Sequence, residues 1–100
     1  MNPKQYLTGK LLELEGVSVK PGLGKGDKFV VNNVEFAYFI ENGVRVLLSE
    51  TGKERLGETL QADPRASFVE DGWVDLKFEN DVEVELVFVF IRYSWKFAKS

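Results

Sequence analysis

The chain contains no cysteine and no histidine. Without cysteine there is no disulfide, so the fold must rest on its hydrophobic core, and the composition fits a reducing compartment. Without histidine, Ser-His-Asp and Cys-His catalytic units lack their base. The two absences together also remove the usual zinc ligands, leaving only carboxylate sites for magnesium or calcium open. Long apolar runs are missing as well. The longest uncharged one, Leu86 to Ile91, falls far short of the roughly 20 residues a membrane helix needs. The N-terminal Met-Asn-Pro-Lys-Gln has none of the apolar core of a signal peptide. A cytoplasmic protein with no membrane partner is therefore expected.

Concentrated positive charge is scarce too. Residues 1–28 carry five lysines against three acids, and residues 29–100 carry eight basic against thirteen acidic residues. Phosphate backbones attract dense positive charge, so an acidic body with a weakly basic head is not expected to bind nucleic acid.

What is present is an ordinary globular composition: 100 residues, 44% hydrophobic and 29% charged. That length fits a single domain, residues 1–100, able to bury roughly 60–70% of its unfolded surface. Residues 3 to 15 read as a helix, with Pro3 suited to the first turn, Tyr6, Leu7, Leu11, Leu12 and Leu14 at helical spacing, and Gly16 closing the end. Val17 to Lys20 follows as a short strand. Pro21-Gly22-Leu23-Gly24-Lys25-Gly26-Asp27 is too rich in breakers for regular structure.

Lys28–Val31, Val34–Glu41 and Val44–Leu48 read as a meander, joined by tight turns at Asn32-Asn33 and Asn42-Gly43. Ser49 or Thr51 can cap a helix over about Glu50–Gln61, which Asp63-Pro64 ends. Ala66–Glu70 and Trp73–Glu79 flank a third turn at Asp71-Gly72.

From Asn80 onward two readings compete. Val82 to Leu86 alternates like a strand, and Val87 to Ile91 is β-prone. Eighteen residues without Gly or Pro are long for a strand, however, and Val82, Leu86, Phe90, Tyr93 and Phe97 form a helical stripe. Length decides for a helix, with Asn80 and Glu83 approximating a capping box. Val84, Phe88, Ile91 and Trp95 then lie off the stripe, so the helix is apolar nearly all round. A sheet covers only one side of such a helix, so either the first helix packs over the rest or a second chain does, as a homodimer or another protein partner. The expected fold class is α+β: an antiparallel sheet of five to six strands with three helices, in the order α-β-β-β-β-α-β-β-α.

Strand alternation assigns faces. Val34, Phe36, Tyr38 and Ile40, with Val44, Val46 and Leu48, and Val74, Leu76 and Phe78, are expected toward the helices. The opposite face then carries Phe39, Arg45, Leu47, Trp73 and Asp75 together with Glu35, Ala37, Glu41 and Lys77. Large aromatics and arginine anchor interfaces, so this outer face is a candidate binding surface; an ordinary solvated sheet face is the plainer alternative. A second candidate is a pocket between sheet and helices, lined by Tyr38, Trp73 and Tyr93. The Gly-rich stretch, with Lys20, Lys25 and Lys28 nearby, matches neither phosphate-binding glycine pattern and reads as a surface loop. Glu35 and Asp75, paired on an open sheet, are not desolvated enough for acid–base work.

From Val34 onward the chain resembles a small family of luciferase-like domains. The resemblance covers about two-thirds of the chain and rests on Val34-Glu35-Phe36, Arg55-Leu56, Gly72-Trp73-Val74, Asn80-Asp81-Val82-Glu83 and Ile91-Arg92-Tyr93-Ser94-Trp95. It implies the fold, terminal helix included. Members of that family carry histidines in the strand here occupied by Ala37-Tyr38-Phe39-Ile40 and before the Gly-Trp turn, where this chain has none. A light-emitting oxidation would also need a bound luciferin or flavin, and no motif for such a cofactor is found. The expected role is a non-catalytic interaction or structural module; the alternative is a small-molecule binder or cryptic enzyme.

Overall fold

The computed structural model describes residues 2–20, 26–48, 50–69 and 72–99, apart from the side chains of Glu50, Thr51 and Lys53. Nine elements follow the expected order: α1 (Pro3–Leu12), β1 (Ser18–Lys20), β2 (Lys28–Val31), β3 (Val34–Ile40), β4 (Gly43–Leu47), α2 (Glu50–Ala62), β5 (Ala66–Phe68), β6 (Trp73–Lys77) and α3 (Asp81–Lys99). The six strands make one antiparallel sheet in the order β1-β2-β3-β4-β6-β5. The Gly-rich residues 21–25, the Ser49 cap and Glu70-Asp71 of the third turn lie outside the described residues.

Local chemistry sets the boundaries. Asn2 caps α1, its Oδ1 accepting the Lys4 amide at 2.8 Å. The helix stops at Leu12, earlier than the periodicity suggests, although Leu14 still packs against the core beyond its end. Asn32 and Asn33 both take positive φ, 52° and 63°, as a two-residue hairpin turn with the twist of its strands requires.

The second turn differs from expectation. Glu41-Asn42 forms it, and Gly43 is already the first residue of β4. Gly43 is glycine because of its neighbour: a Cβ there would lie 2.1 Å from the Leu76 carbonyl oxygen on β6. Gly72 keeps the conformational role expected of it, at φ 84°.

The faces of β3 are also the reverse of the simple alternation. The pairing of β2 with β3 slips between Phe29 and Val30: Phe29 faces Ala37, while Val30 faces Glu35. Phe36 is the extra residue of a β-bulge. Phe36 and Ala37 are both buried, and beyond them Ala37 and Phe39 face the helices while Tyr38 and Ile40 face away. Phe39 aligns with Val44 and Leu76, and Ala37 with Val46 and Val74, as one continuous core face.

α3 lies across this face, flanked by α1 and α2. The competition between strand and helix at its start is won by the helix. Asn80 Oδ1 accepts the Glu83 amide at 2.9 Å, and Glu83 returns an acceptor to the Glu79 amide at 2.8 Å. Its buried side differs from the stripe chosen by periodicity, however. Val84, Val87, Phe90, Ile91 and Ser94 are buried, whereas Val82 and Leu86 are exposed. An all-apolar helix offers several equivalent stripes, and the sheet takes the one that places Ser94 over the bulge. The Ser94 hydroxyl, 2% exposed, sits against the carbonyls of Phe36, at 3.4 Å, and Leu47. It thereby supplies a donor where the bulge interrupts the ladder.

Candidate functional site

The face of the sheet away from the helices carries the most organised polar cluster among the described residues. Tyr38, Arg45, Asp75 and Ser67 stand directly opposite one another on β3, β4, β6 and β5. The Arg45 guanidinium grips the Asp75 carboxylate with two bonds, Nε to Oδ1 at 2.6 Å and Nη2 to Oδ2 at 3.1 Å. Its Nη1 donates to the Tyr38 hydroxyl at 3.0 Å. Bidentate charge-assisted bonds of this kind hold a side chain in one geometry. The Asp75 bond, followed by the Tyr38 bond, drives the Arg45 pKa further up, so the group is a fixed cation.

Aromatic and aliphatic groups border this pair. The Tyr38 and Trp73 rings meet edge to face, 5.4 Å between centroids at 62°. The Arg45 guanidinium lies 5.7 Å from the Tyr38 ring centroid. Leu47 pairs across the strands with Trp73, and all five side chains are half-buried. Of the residues expected on this face, Arg45, Leu47, Trp73 and Asp75 are brought together. Phe39 is not among them: it is 6% exposed on the core side, edge to face with Phe29 at 5.4 Å. Tyr38 takes its place, because the bulge at Phe36 inverts the strand.

The pocket expected from Tyr38, Trp73 and Tyr93 does not assemble. Tyr38 and Trp73 are on the outer face, Tyr93 is on α3, and the core cluster occupies the space between helices and sheet. Tyr93 instead borders a shallow depression of about 170 Å³ with Val89, Arg92 and Lys96. A larger open cleft of about 490 Å³ lies where β3 turns into β4, lined by Lys4, Gly26, Tyr38, Phe39, Ile40, Glu41 and Arg45. Its cations are already engaged: Lys4 Nζ donates to the Ile40 carbonyl at 2.7 Å and sits 5.6 Å from the Phe39 ring centroid.

Two further ionic clusters tie helices in place. On one side of α3, Glu85 accepts from Lys10 at 2.8 Å and from the Tyr6 hydroxyl, and these bonds hold its carboxyl below the usual range. On the other, Glu83 accepts from Arg65 at 2.8 Å, which together with the Glu79 amide lowers its pKa. Among the described residues no group of three or more acidic side chains is placed to hold a metal ion, and no helix is long and apolar enough to cross a membrane. No protein family, characterised protein or solved structure matches the chain.

Proposed function

We propose that the chain is a cytoplasmic, non-catalytic interaction module that docks a protein partner through the outer face of its sheet. The observation that carries this reading is the composition and state of the Tyr38-Arg45-Leu47-Trp73-Asp75 patch. Tyrosine, tryptophan and arginine are the residues that dominate binding energy at interfaces. The Arg45 charge is paired with Asp75, and three of its five N–H donors are taken by Asp75 and Tyr38, so a partner can cover the ion pair without supplying a counter-charge. The complementary surface is therefore flat and largely apolar, and binding depends little on salt. The only carboxylate in the patch, Asp75, is committed to Arg45, which favours binding over acid–base chemistry. The lack of cysteine favours the cytoplasm. The resemblance to luciferase-like domains enters as a proposal of shared architecture, without the histidines of that family.

The test is quantitative capture of cross-linked complexes with the parent protein and with Leu47→Asp and Trp73→Ala. A protein retained by the parent at low and high salt and lost from both variants supports the reading. The same proteins in all three samples would sink it. The cleft of about 490 Å³ beside Lys4 and Arg45 favours a second reading, a small-molecule site. A rise in melting temperature with a panel of anionic and aromatic metabolites supports that second reading, and no rise rejects it.

A further inference from the structure

The three most exposed large apolar side chains among the described residues all lie on one helix: Val82 at 71%, Val89 at 55% and Leu86 at 49%. With the half-buried Tyr93 they are spaced four, three and four residues apart. This is the spacing of an interhelical seam, about 16 Å long at 1.5 Å per residue. The seam points away from the sheet, since the opposite side of α3 holds Val84, Val87, Ile91 and Ser94 in the core. It is separate from the outer sheet face, which lies on the other side of the molecule.

The charges beside the seam say what covers it. On the α1 flank they change sign halfway along: Asp81 and Glu85 come first, Arg92 and Lys96 follow. Asp81, Arg92 and Lys96 have no ion-pair partner among the described residues. A surface of this kind is complementary to itself when turned end for end. A two-fold axis at Val89 sets Asp81 beside Lys96 of a second copy and Glu85 beside its Arg92. The two acidic halves then face the two basic halves on the same flank. The depression bordered by Val89, Arg92, Tyr93 and Lys96 receives Leu86 and Val82 of the other copy. A parallel two-fold would instead set this flank against the opposite flank of α3, where Glu83 is the only charged side chain and would meet the acidic half of the other copy.

We infer that the chain forms an isologous dimer by antiparallel packing of α3 against α3 of a second copy, centred on Val89. The seam is short, so association is concentration-dependent and in the micromolar range or weaker. The inference is independent of the sheet-face proposal, and Leu47→Asp leaves it unaffected.

The cysteine-free chain makes the test clean, because one introduced thiol is the only one. Val89→Cys, at an exposed position, cross-links to itself on oxidation, because the two-fold brings the pair within disulfide reach. Val82→Cys does not, since its two copies are about 21 Å apart along the antiparallel axis. In sedimentation, Lys96→Glu and Asp81→Lys each weaken dimerisation by about tenfold, and their equimolar mixture recovers it because both cross-pairs become attractive. Circular dichroism verifies that each variant is folded. A monomer at every concentration, cross-linking at both positions, or no recovery on mixing would each overturn the inference.

Discussion

The inversion of β3 makes a quantitative contrast between two neighbouring aromatics. Simple alternation puts Tyr38 in the core and Phe39 outside, whereas the bulged register does the opposite. Phe39 is 6% exposed, in edge-to-face contact with Phe29 and surrounded by the main core. Truncation to alanine removes that contact and leaves a cavity, at a cost of about 3–5 kcal/mol. Tyr38→Ala loses one hydrogen bond to Arg45 and an edge contact with Trp73, both half-open to water, for about 1–1.5 kcal/mol. A domain of this size is stable by only about 5–15 kcal/mol, so the first variant is strongly weakened and the second mildly. Urea denaturation followed by circular dichroism measures both, and at about 4–8 °C per kcal/mol the melting temperatures differ by roughly 6 °C or more. Equal losses, or a larger loss for Tyr38→Ala, would refute the bulged register and with it the membership of the outer patch.

Other consequences are equally direct. Gly43→Ala forces a methyl to 2.1 Å from the Leu76 carbonyl oxygen, so β4 and β6 must part, and a loss of at least about 2 kcal/mol is expected in the same denaturation assay. Ser94→Ala leaves the Phe36 and Leu47 carbonyls facing α3 without its hydroxyl; about 1–3 kcal/mol is lost, with faster hydrogen exchange around residues 36 and 47. Glu83 and Glu85 both have carboxyl pKa values held below 4.5, by Arg65 and by Lys10 respectively. Each favours the folded state while ionised, so its stabilisation is complete above that value and drains away as pH falls through the depressed one. The combined Glu83→Gln and Glu85→Gln variant accordingly loses less stability than the parent as pH falls below 4.5, and identical slopes would contradict this.

The order of elements was legible because its signals are local. Two asparagines at positive φ, a capping asparagine at position 80 and the length of the final apolar segment each act within a few residues. What escaped depends on partners distant in sequence. Val34, Phe36, Tyr38 and Ile40 alternate as neatly as Ala37 and Phe39 pack, and only pairing with β2 reveals the extra residue. Gly43 resembles a turn glycine, but its neighbour Leu76 lies 33 positions on in the chain, where no local pattern points. The final helix is apolar on so many sides that its core stripe could not be chosen without the sheet. The same surplus leaves Val82, Leu86 and Val89 in the open. Arg45, Leu47, Trp73 and Asp75 were recognisable as one face because β4 and β6 carry no bulge in their mutual pairing.

The proposal that the outer sheet face docks a protein is tested most directly by side-by-side capture with the parent and with Leu47→Asp. That substitution buries nothing new and leaves the core face of β4 intact, so folding is retained. Quantitative mass spectrometry of the cross-linked complexes is predicted to show at least one protein held by the parent, insensitive to salt, and depleted from the variant. An unchanged set of proteins, with the variant folded, would contradict the proposal.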